Sequence, residues 1–163
     1  LYVPGAGVVQ RDGAGVGDVE REDYRALFSV VFSGQHLPAR LYGLNRIPSA
    51  ELDGILEWLE LGAIVKASGD RLSTTKLSSG QRKRVQLATA LLERRPILVL
   101  DEWAADQDPA FRAKFYREIL PALRSRGLTI VAVTHDDHYF DCADRCVTFR
   151  EGELVTPSSL RSA

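Results

Sequence analysis

The 163-residue chain contains no methionine and only two cysteines, Cys142 and Cys146. It begins at Leu1, and removal of an initiator Met normally requires a small following residue, which Leu is not. The sequence therefore reads as a piece whose translated start lies upstream, with a processed or trimmed chain as the alternative. Two cysteines form no disulfide framework and fit a reducing, cytoplasmic setting. No apolar run approaches the ~20 residues that span a bilayer, and no secretory leader opens the chain. Formal net charge is -1, from 21 basic and 22 acidic residues, so there is no electrostatic footprint for nucleic acid or an anionic membrane surface. No Gly-Lys pair occurs, hence no Gly-x-x-x-x-Gly-Lys-Ser/Thr phosphate loop. The Gly-rich start (Gly5, Gly7, Gly13, Gly15, Gly17) contains no Gly-x-Gly-x-x-Gly either and reads as turns between strands. Internal repeats and low-complexity segments are also lacking.

What is present suits one globular domain with a real core: 45% hydrophobic and 26% charged residues. Val8 to Gly13 predicts a short strand ending in an Asp-Gly turn. A helix is expected over 22–28, a strand at Val30–Phe32 and a loop over 33–48. Leu52, Ile55, Leu56 and Leu59 recur at helical spacing behind a possible Ser49 cap, which predicts a helix ending near Gly62. A polar stretch leads to Leu77. The next helix is expected from Ser79 to Arg94, with Val85, Ala88, Leu91 and Leu92 inward. Ile97 to Leu100 is wholly apolar and reads as a strand of a parallel sheet, buried on both faces. Pro109 sits where a helix starts. Phe111, Phe115, Ile119 and Leu123 form that helix's apolar stripe, Pro121 should kink it and Gly127 ends it. Leu128–Val133 predicts a second buried strand, 137–143 a short helix, and 146–149 with 153–155 a hairpin around Glu151-Gly152. Helices alternating with buried strands indicate an α/β fold with a mostly parallel sheet. A helical subdomain is expected over about 48–95, within one domain spanning 1–155. The tail over 156–163 is polar and is expected to fray.

Asp101 and Glu102 close the Ile97–Leu100 strand, where α/β folds place ligands. An Asp in that position can hold Mg²⁺, and an adjacent Glu can orient and deprotonate an attacking water. The bland reading is a strand that ends in two solvated acids. Leu77-Ser78-Ser79-Gly80-Gln81 opens a helix, with Gln81 20 residues ahead of Asp101. Small residues, a hydroxyl and a helix N-terminus suit a phosphate, although an ordinary capped helix start has the same composition. His135 ends the next apolar strand, 33 residues past Glu102, within reach of a terminal phosphate or the attacking water. Asp106 and Asp108 lie in the loop after Glu102 and would frame the same place.

Taken in register, these segments resemble the ATPase domain of ABC transporters over nearly the whole chain, from about Leu1 to Val155. Leu77 to Gln81 resembles the ABC signature motif, and Ile97 to Glu102 resembles the Walker B strand with its catalytic Glu. Ala105-Asp106-Gln107-Asp108 is similar to the D-loop, and Thr134-His135-Asp136-Asp137 to the switch-histidine loop. Most ABC proteins carry Pro-Thr after the Glu. The run Glu102-Trp103-Ala104-Ala105-Asp106-Gln107-Asp108-Pro109 instead resembles the cyclic-peptide exporters, which move lipopeptides, siderophore precursors and peptide antibiotics. Tyr24 to Ser29 and His135 to Phe140 resemble that group as well.

The resemblance implies a P-loop NTPase-like fold that lacks its N-terminal phosphate-loop segment. It implies ATP and Mg²⁺ as cofactors, with Asp101 on the metal, Glu102 as general base and His135 on the γ-phosphate. Ser78, Ser79, Gly80 and Gln81 would contact ATP held by a second ABC ATPase domain, and Asp106 and Asp108 would lie at that dimer interface. Gln35 lies in the Q-loop segment, although aligning His36-Leu37 with relatives puts Ser33 at the usual Gln position. The second signature Gly is Ser79 here. Further implied partners are a membrane-spanning domain upstream and a peptide-like transported compound, with no nucleic acid, at the cytoplasmic face of the plasma (inner) membrane. Lacking the phosphate loop, the chain alone would be inactive. The alternatives are a soluble ABC ATPase of repair or translation, and a truncated product that acts only as a dimer partner. Long coiled-coil insertions or tandem domains would mark the former, and none is visible.

Three features are not promoted to sites. His138, Cys142 and Cys146 fall four apart, but the helix should end before Arg145, so no metal site is expected. Arg82-Lys83-Arg84 reads as a solvated helix face, with a contact to nucleotide or a neighbour as the alternative. Trp58 and Trp103 read as packing or interface residues.

Overall fold

Hydrogen bonding between three short parallel strands sets the frame of the molecule, whose computed structural model describes residues 4–34, 37, 41, 48–68 and 71–158. A hairpin comes first, β1 (Gln10–Arg11) antiparallel to β2 (Ala14–Gly15). Asp12 and Gly13 join them with φ of 52° and 83°, the left-handed pair of a two-residue type I′ turn. The helix α1 (Arg21–Arg25) stops short of Phe28, because β3 (Phe28–Val31) claims that residue. The Leu27 carbonyl already accepts from Ile97 N at 3.1 Å.

Helix α2 (Ser49–Trp58) buries Leu52 and Leu56, and Leu59 follows them into the core. Its cap residue is Pro48, not Ser49, and no side chain caps it; Pro48 has the non-helical φ -58° and ψ 133° of a cap and carries no N–H to leave unmet there. Glu60, with φ 59°, turns the chain away two residues before Gly62. The polar stretch holds a ladder unexpected from sequence, β4 (Ala67–Ser68) antiparallel to β5 (Arg71–Leu72). Helix α3 (Ser79–Leu92) then packs against α2 and β3. Two residues beyond its end, Arg94 adopts φ 53°.

Strand β6 (Ile97–Asp101) follows. Helix α4 (Pro109–Lys114) starts at Pro109 as expected, with Asp108 as its cap. A π-turn over Phe115–Ile119 leads into α5 (Leu120–Ser125). The widened turn lies directly ahead of Pro121, whose ring would clash with a carbonyl of a regular turn. Phe111, Phe115, Ile119 and Leu123 are all buried, as the stripe required. Gly127 (φ 88°) donates to the Arg124 carbonyl at 2.9 Å and Leu128 to that of Leu123 at 3.3 Å, a Schellman ending.

Strand β7 (Thr129–Val133) completes the sheet in the order β3-β6-β7, parallel throughout. A 3₁₀ helix over Asp137–Cys142 precedes the hairpin of β8 (Cys146–Arg150) and β9 (Glu153–Ser158). That hairpin turns at Glu151-Gly152 with φ of 52° and 84°. Its second strand takes in 156–158, which the sequence reading assigned to a frayed tail. Burial of the sheet also departs from expectation. Leu98 and Leu100 are buried, but Ile97 and Val99 are only half-buried, and Val131 and Val133 of β7 are exposed. β7 pairs on one side only and α5 covers one face, so its other face lacks a layer among the described residues.

Candidate active site

Parallel strands deliver their C-terminal ends to one edge, and here three segments meet there. Ser33 follows β3, Asp101-Glu102 closes β6, and His135 follows β7. The register that pairs Val31 with Leu100 and Asp101 with Val133 brings them side by side. Asp101 Oδ2 accepts from the Ser33 hydroxyl at 2.9 Å and from the Ser33 N–H at 3.4 Å. Gln35 lies outside the described residues; Ser33, the residue that alignment to relatives placed at the Gln position, is the one that reaches Asp101.

Glu102 has φ 45° and ψ 38°, a left-handed conformation that costs a non-glycine residue about 1–2 kcal/mol. Its N–H still donates to Val133 O at 3.0 Å, continuing the ladder by one bond. The turn then lifts the side chain off the strand, and Glu102 Oε1 lies 3.2 Å from His135 Nε2. Both side chains are open to solvent, 45% and 89% exposed, so a water or a ligand oxygen can reach each of them from the side. Such strain in a non-glycine residue at a strand end is common where a side chain must be aimed.

The start of α3 is a capping box. Ser78 Oγ accepts from Gln81 N at 3.2 Å, and Gln81 Oε1 accepts from Ser78 N at 3.0 Å. The cap explanation therefore holds, yet it uses the Ser78 hydroxyl only as an acceptor and leaves its O–H to donate. Gly80 answers to packing: a Cβ there would lie 2.6 Å from the Asp106 carbonyl oxygen.

The loop after Glu102 is laced to α3 by side chains that the sequence reading assigned to solvent. Lys83 and Arg84 are only 6% and 9% exposed, which corrects the solvated-face reading for those two, whereas Arg82 is exposed as expected. Lys83 Nζ donates to the Glu102 carbonyl at 2.6 Å and pairs with Asp106 Oδ2 at 2.7 Å. In the other direction, Trp103 Nε1 donates to the Lys83 carbonyl at 2.9 Å, while its ring stacks on Phe115 at 4.2 Å. Trp103 is thus a packing residue, as expected. Arg84 donates to Gln107 Oε1 at 2.8 Å and Asp108 Oδ2 at 2.9 Å, and its guanidinium lies 3.3 Å over the Phe111 ring. Gln107 in turn donates to the Gly80 carbonyl at 3.2 Å. Buried cations are retained only when their donors are met in this way.

These contacts act on the acids. The Lys83 hydrogen bond holds the Asp106 carboxyl below its ordinary value of 3.8 against the opposing effect of burial, and the Ser79 hydroxyl adds to it. The Phe111 N–H, with Arg84, holds Asp108 below the same value. The missed signal was legible in principle. Gly80, Lys83, Leu87 and Ala90 share one side of α3 at three- and four-residue spacing, so the basic pair interrupts a buried face.

A second brace supports the His135 loop. Tyr116 donates to Asp136 Oδ2 at 3.0 Å and bonds Thr134 Oγ1 at 2.8 Å, and its ring stacks on Tyr139 at 4.4 Å. Burial pushes the Tyr116 phenol up to about 12, so it stays a donor at any working pH. Arg112 bonds the carbonyls of Ala104, Ala105 and Gln107 and reaches Asp136 at 3.4 Å. One guanidinium thus joins the loop after β6 to the loop after β7.

Comparison with known proteins agrees with this fold. The family model described as ABC transporter matches residues 1–105. The ATP-binding protein SyrD of Pseudomonas syringae pv. syringae is 49% identical over 160 residues, covering 96% of this chain and 28% of that protein. The spermidine/putrescine import ATP-binding protein PotA of Thermobifida fusca is 33% identical, over 96% of this chain and 44% of its own length. The chain thus spans less than half of either relative. Among solved structures, a bacterial Atm1-family ABC exporter with ATP bound superposes with TM-score 0.82 at 22% identity, over 98% of this chain and 30% of that one. A dimeric ATP-binding cassette bound to ADP and Pi superposes with TM-score 0.65 at 20% identity, over 98% and 76%. By the family match and the α/β fold together, the chain belongs to the ABC transporter family.

Proposed function

We propose that the chain is part of the ATP-hydrolysing domain of an exporter, in which Glu102 is the general base. The observation that carries this reading is the Glu102–His135 contact at 3.2 Å, beside Asp101 on the C-terminal edge of a parallel sheet. Glu102 accepts the proton of the attacking water, and His135 donates to a γ-phosphate oxygen and keeps the Glu102 carboxylate in line. Asp101, fixed by Ser33, and Glu102 offer oxygen donors only, which suits a hard cation such as Mg²⁺. Bound Mg²⁺ supplies charge neutralisation on the phosphates; Asp101 is the residue that would hold it.

Ser78, Ser79, Gly80 and Gln81 face a nucleotide carried by a second ABC ATPase domain, and the Ser78 O–H left over from the capping box is the donor for it. Asp106 and Asp108 frame that interface. The dimeric cassette with ADP and Pi supports pairing by fold. The Trp103-Ala104-Ala105-Asp106-Gln107-Asp108 run and the 49% identity to SyrD favour a peptide-like cargo over the import reading attached to PotA at 33%. The whole protein would act at the cytoplasmic face of the membrane; among the described residues no helix is long and apolar enough to cross it. Since the 163 residues contain no Gly-x-x-x-x-Gly-Lys-Ser/Thr, we expect them not to hydrolyse ATP by themselves.

The export reading is tested with the intact protein in inside-out vesicles. ATP-dependent accumulation of a fluorescent cyclic lipopeptide is expected. ATP hydrolysis that neither moves nor responds to any cyclic peptide offered would contradict it.

A further inference from the structure

Lys83 is a buried cation for which the hydrolytic reading above has no use. It sits one turn into α3, yet its ammonium lies 2.6 Å from the carbonyl of Glu102 and 2.7 Å from Asp106. The Glu102 carbonyl has only one other partner among the described bonds, the Ala105 N–H at a long 3.4 Å. That carbonyl belongs to the left-handed residue whose side chain faces His135. Asp106 also lies against the start of α3: a Cβ at Gly80 would lie 2.6 Å from the Asp106 carbonyl oxygen. A continuous path therefore runs from the Asp106 carboxylate to Lys83 and on to the backbone of Glu102.

We infer that Lys83 is a positioning residue for Glu102, and that with Asp106 it links the start of α3 to the aim of the general base. The physical case rests on burial and geometry. An ammonium that is 6% exposed must keep its partners or lose their full worth. It therefore acts as a rigid tie, where an exposed Lys would be a loose one. The tie closes on both strands of the loop, because Trp103 bonds back to the Lys83 carbonyl at 2.9 Å. Without Lys83 the carbonyl of the left-handed residue keeps, among the described bonds, only the Ala105 N–H at 3.4 Å, and a relaxation of this turn toward an ordinary φ would swing the carboxylate away from His135. This inference rests on Glu102 being the base.

The test is steady-state ATP hydrolysis by the intact transporter carrying K83M, K83R, D106N, E102Q and the pair K83M/E102Q. A positional error of this size in a catalytic group acts on kcat, so K83M is expected to lower kcat about tenfold or more with KM for ATP changed less than about twofold. K83R restores most of the loss, and D106N shows a smaller fall of about threefold, since residues that act as one unit share their effects. In the E102Q background, K83M adds no further loss, because its effect passes through the Glu102 carboxylate. Normal kcat in K83M, a rise in KM alone, or a full multiplicative loss on top of E102Q would overturn the inference. If K83M does not fold, D106N and D106N/E102Q decide it by the same criteria. E102Q slow with K83M normal removes only the inference; E102Q as fast as the wild type removes the Glu102 reading and the inference together.

Discussion

Glu102 concentrates the cost and the use of the site in one residue. Its φ of 45° lies in the region glycine enters freely and glutamate does not. Glu102→Gly removes a left-handed cost of about 1–2 kcal/mol and adds a glycine entropy cost of about 0.5–1 kcal/mol. The expected outcome is a variant more stable by roughly 0.5–1 kcal/mol that hydrolyses no ATP, read from chemical denaturation and an ATPase assay on the intact protein. At this scale the sequence was legible where residue type alone decides. Asp101, Glu102 and His135 had to lie at strand ends, and the structure puts them on one edge. It was not legible where burial decides. Lys83 and Arg84 belong to a basic run that composition assigns to water, and only the loop folding back from β6 supplies their acceptors.

Among the elements, α3 and the loop after β6 behave as one unit, held by Lys83–Asp106, Arg84–Asp108 and Gln107–Gly80. Both acids have folded-state values below the ordinary 3.8, so the sign of their pH dependence follows. Their contribution is fully present above the ordinary value and is lost as pH falls through the lower folded-state values. The melting temperature of the wild type is therefore expected to fall below about pH 4, and D106N is expected to flatten part of that fall. An equal acid slope in both proteins would contradict the Lys83–Asp106 tie as a stabilising contact. Element ends were read well where a local rule sets them. The capped start at Ser78, the helix start at Pro109 and the stop at Gly127 behave as their types require, while Asp108, read only as a loop residue, is the cap of α4. The ladder of β4 and β5 was invisible because two residues per strand carry no periodicity. Phe28 was misplaced because helical local signals yielded to pairing with Ile97.

For the molecule as a whole, the sheet order β3-β6-β7 brings chain segments 68 and 33 residues apart, Ser33 with Asp101 and Glu102 with His135, to one edge. The parallel sheet followed from unbroken apolar runs, but the depth of burial did not. Val131 and Val133 are 48% and 51% exposed because a sheet face is covered only where another layer packs on it. The central claim is that this edge hydrolyses ATP with Glu102 as base, and a single-turnover measurement on the intact protein tests it most directly. Glu102→Gln is expected to bind ATP as tightly as the wild type and to cleave it about 10²–10⁴-fold more slowly, the range that positioned general-base catalysis contributes. Cleavage at the wild-type rate would contradict the account.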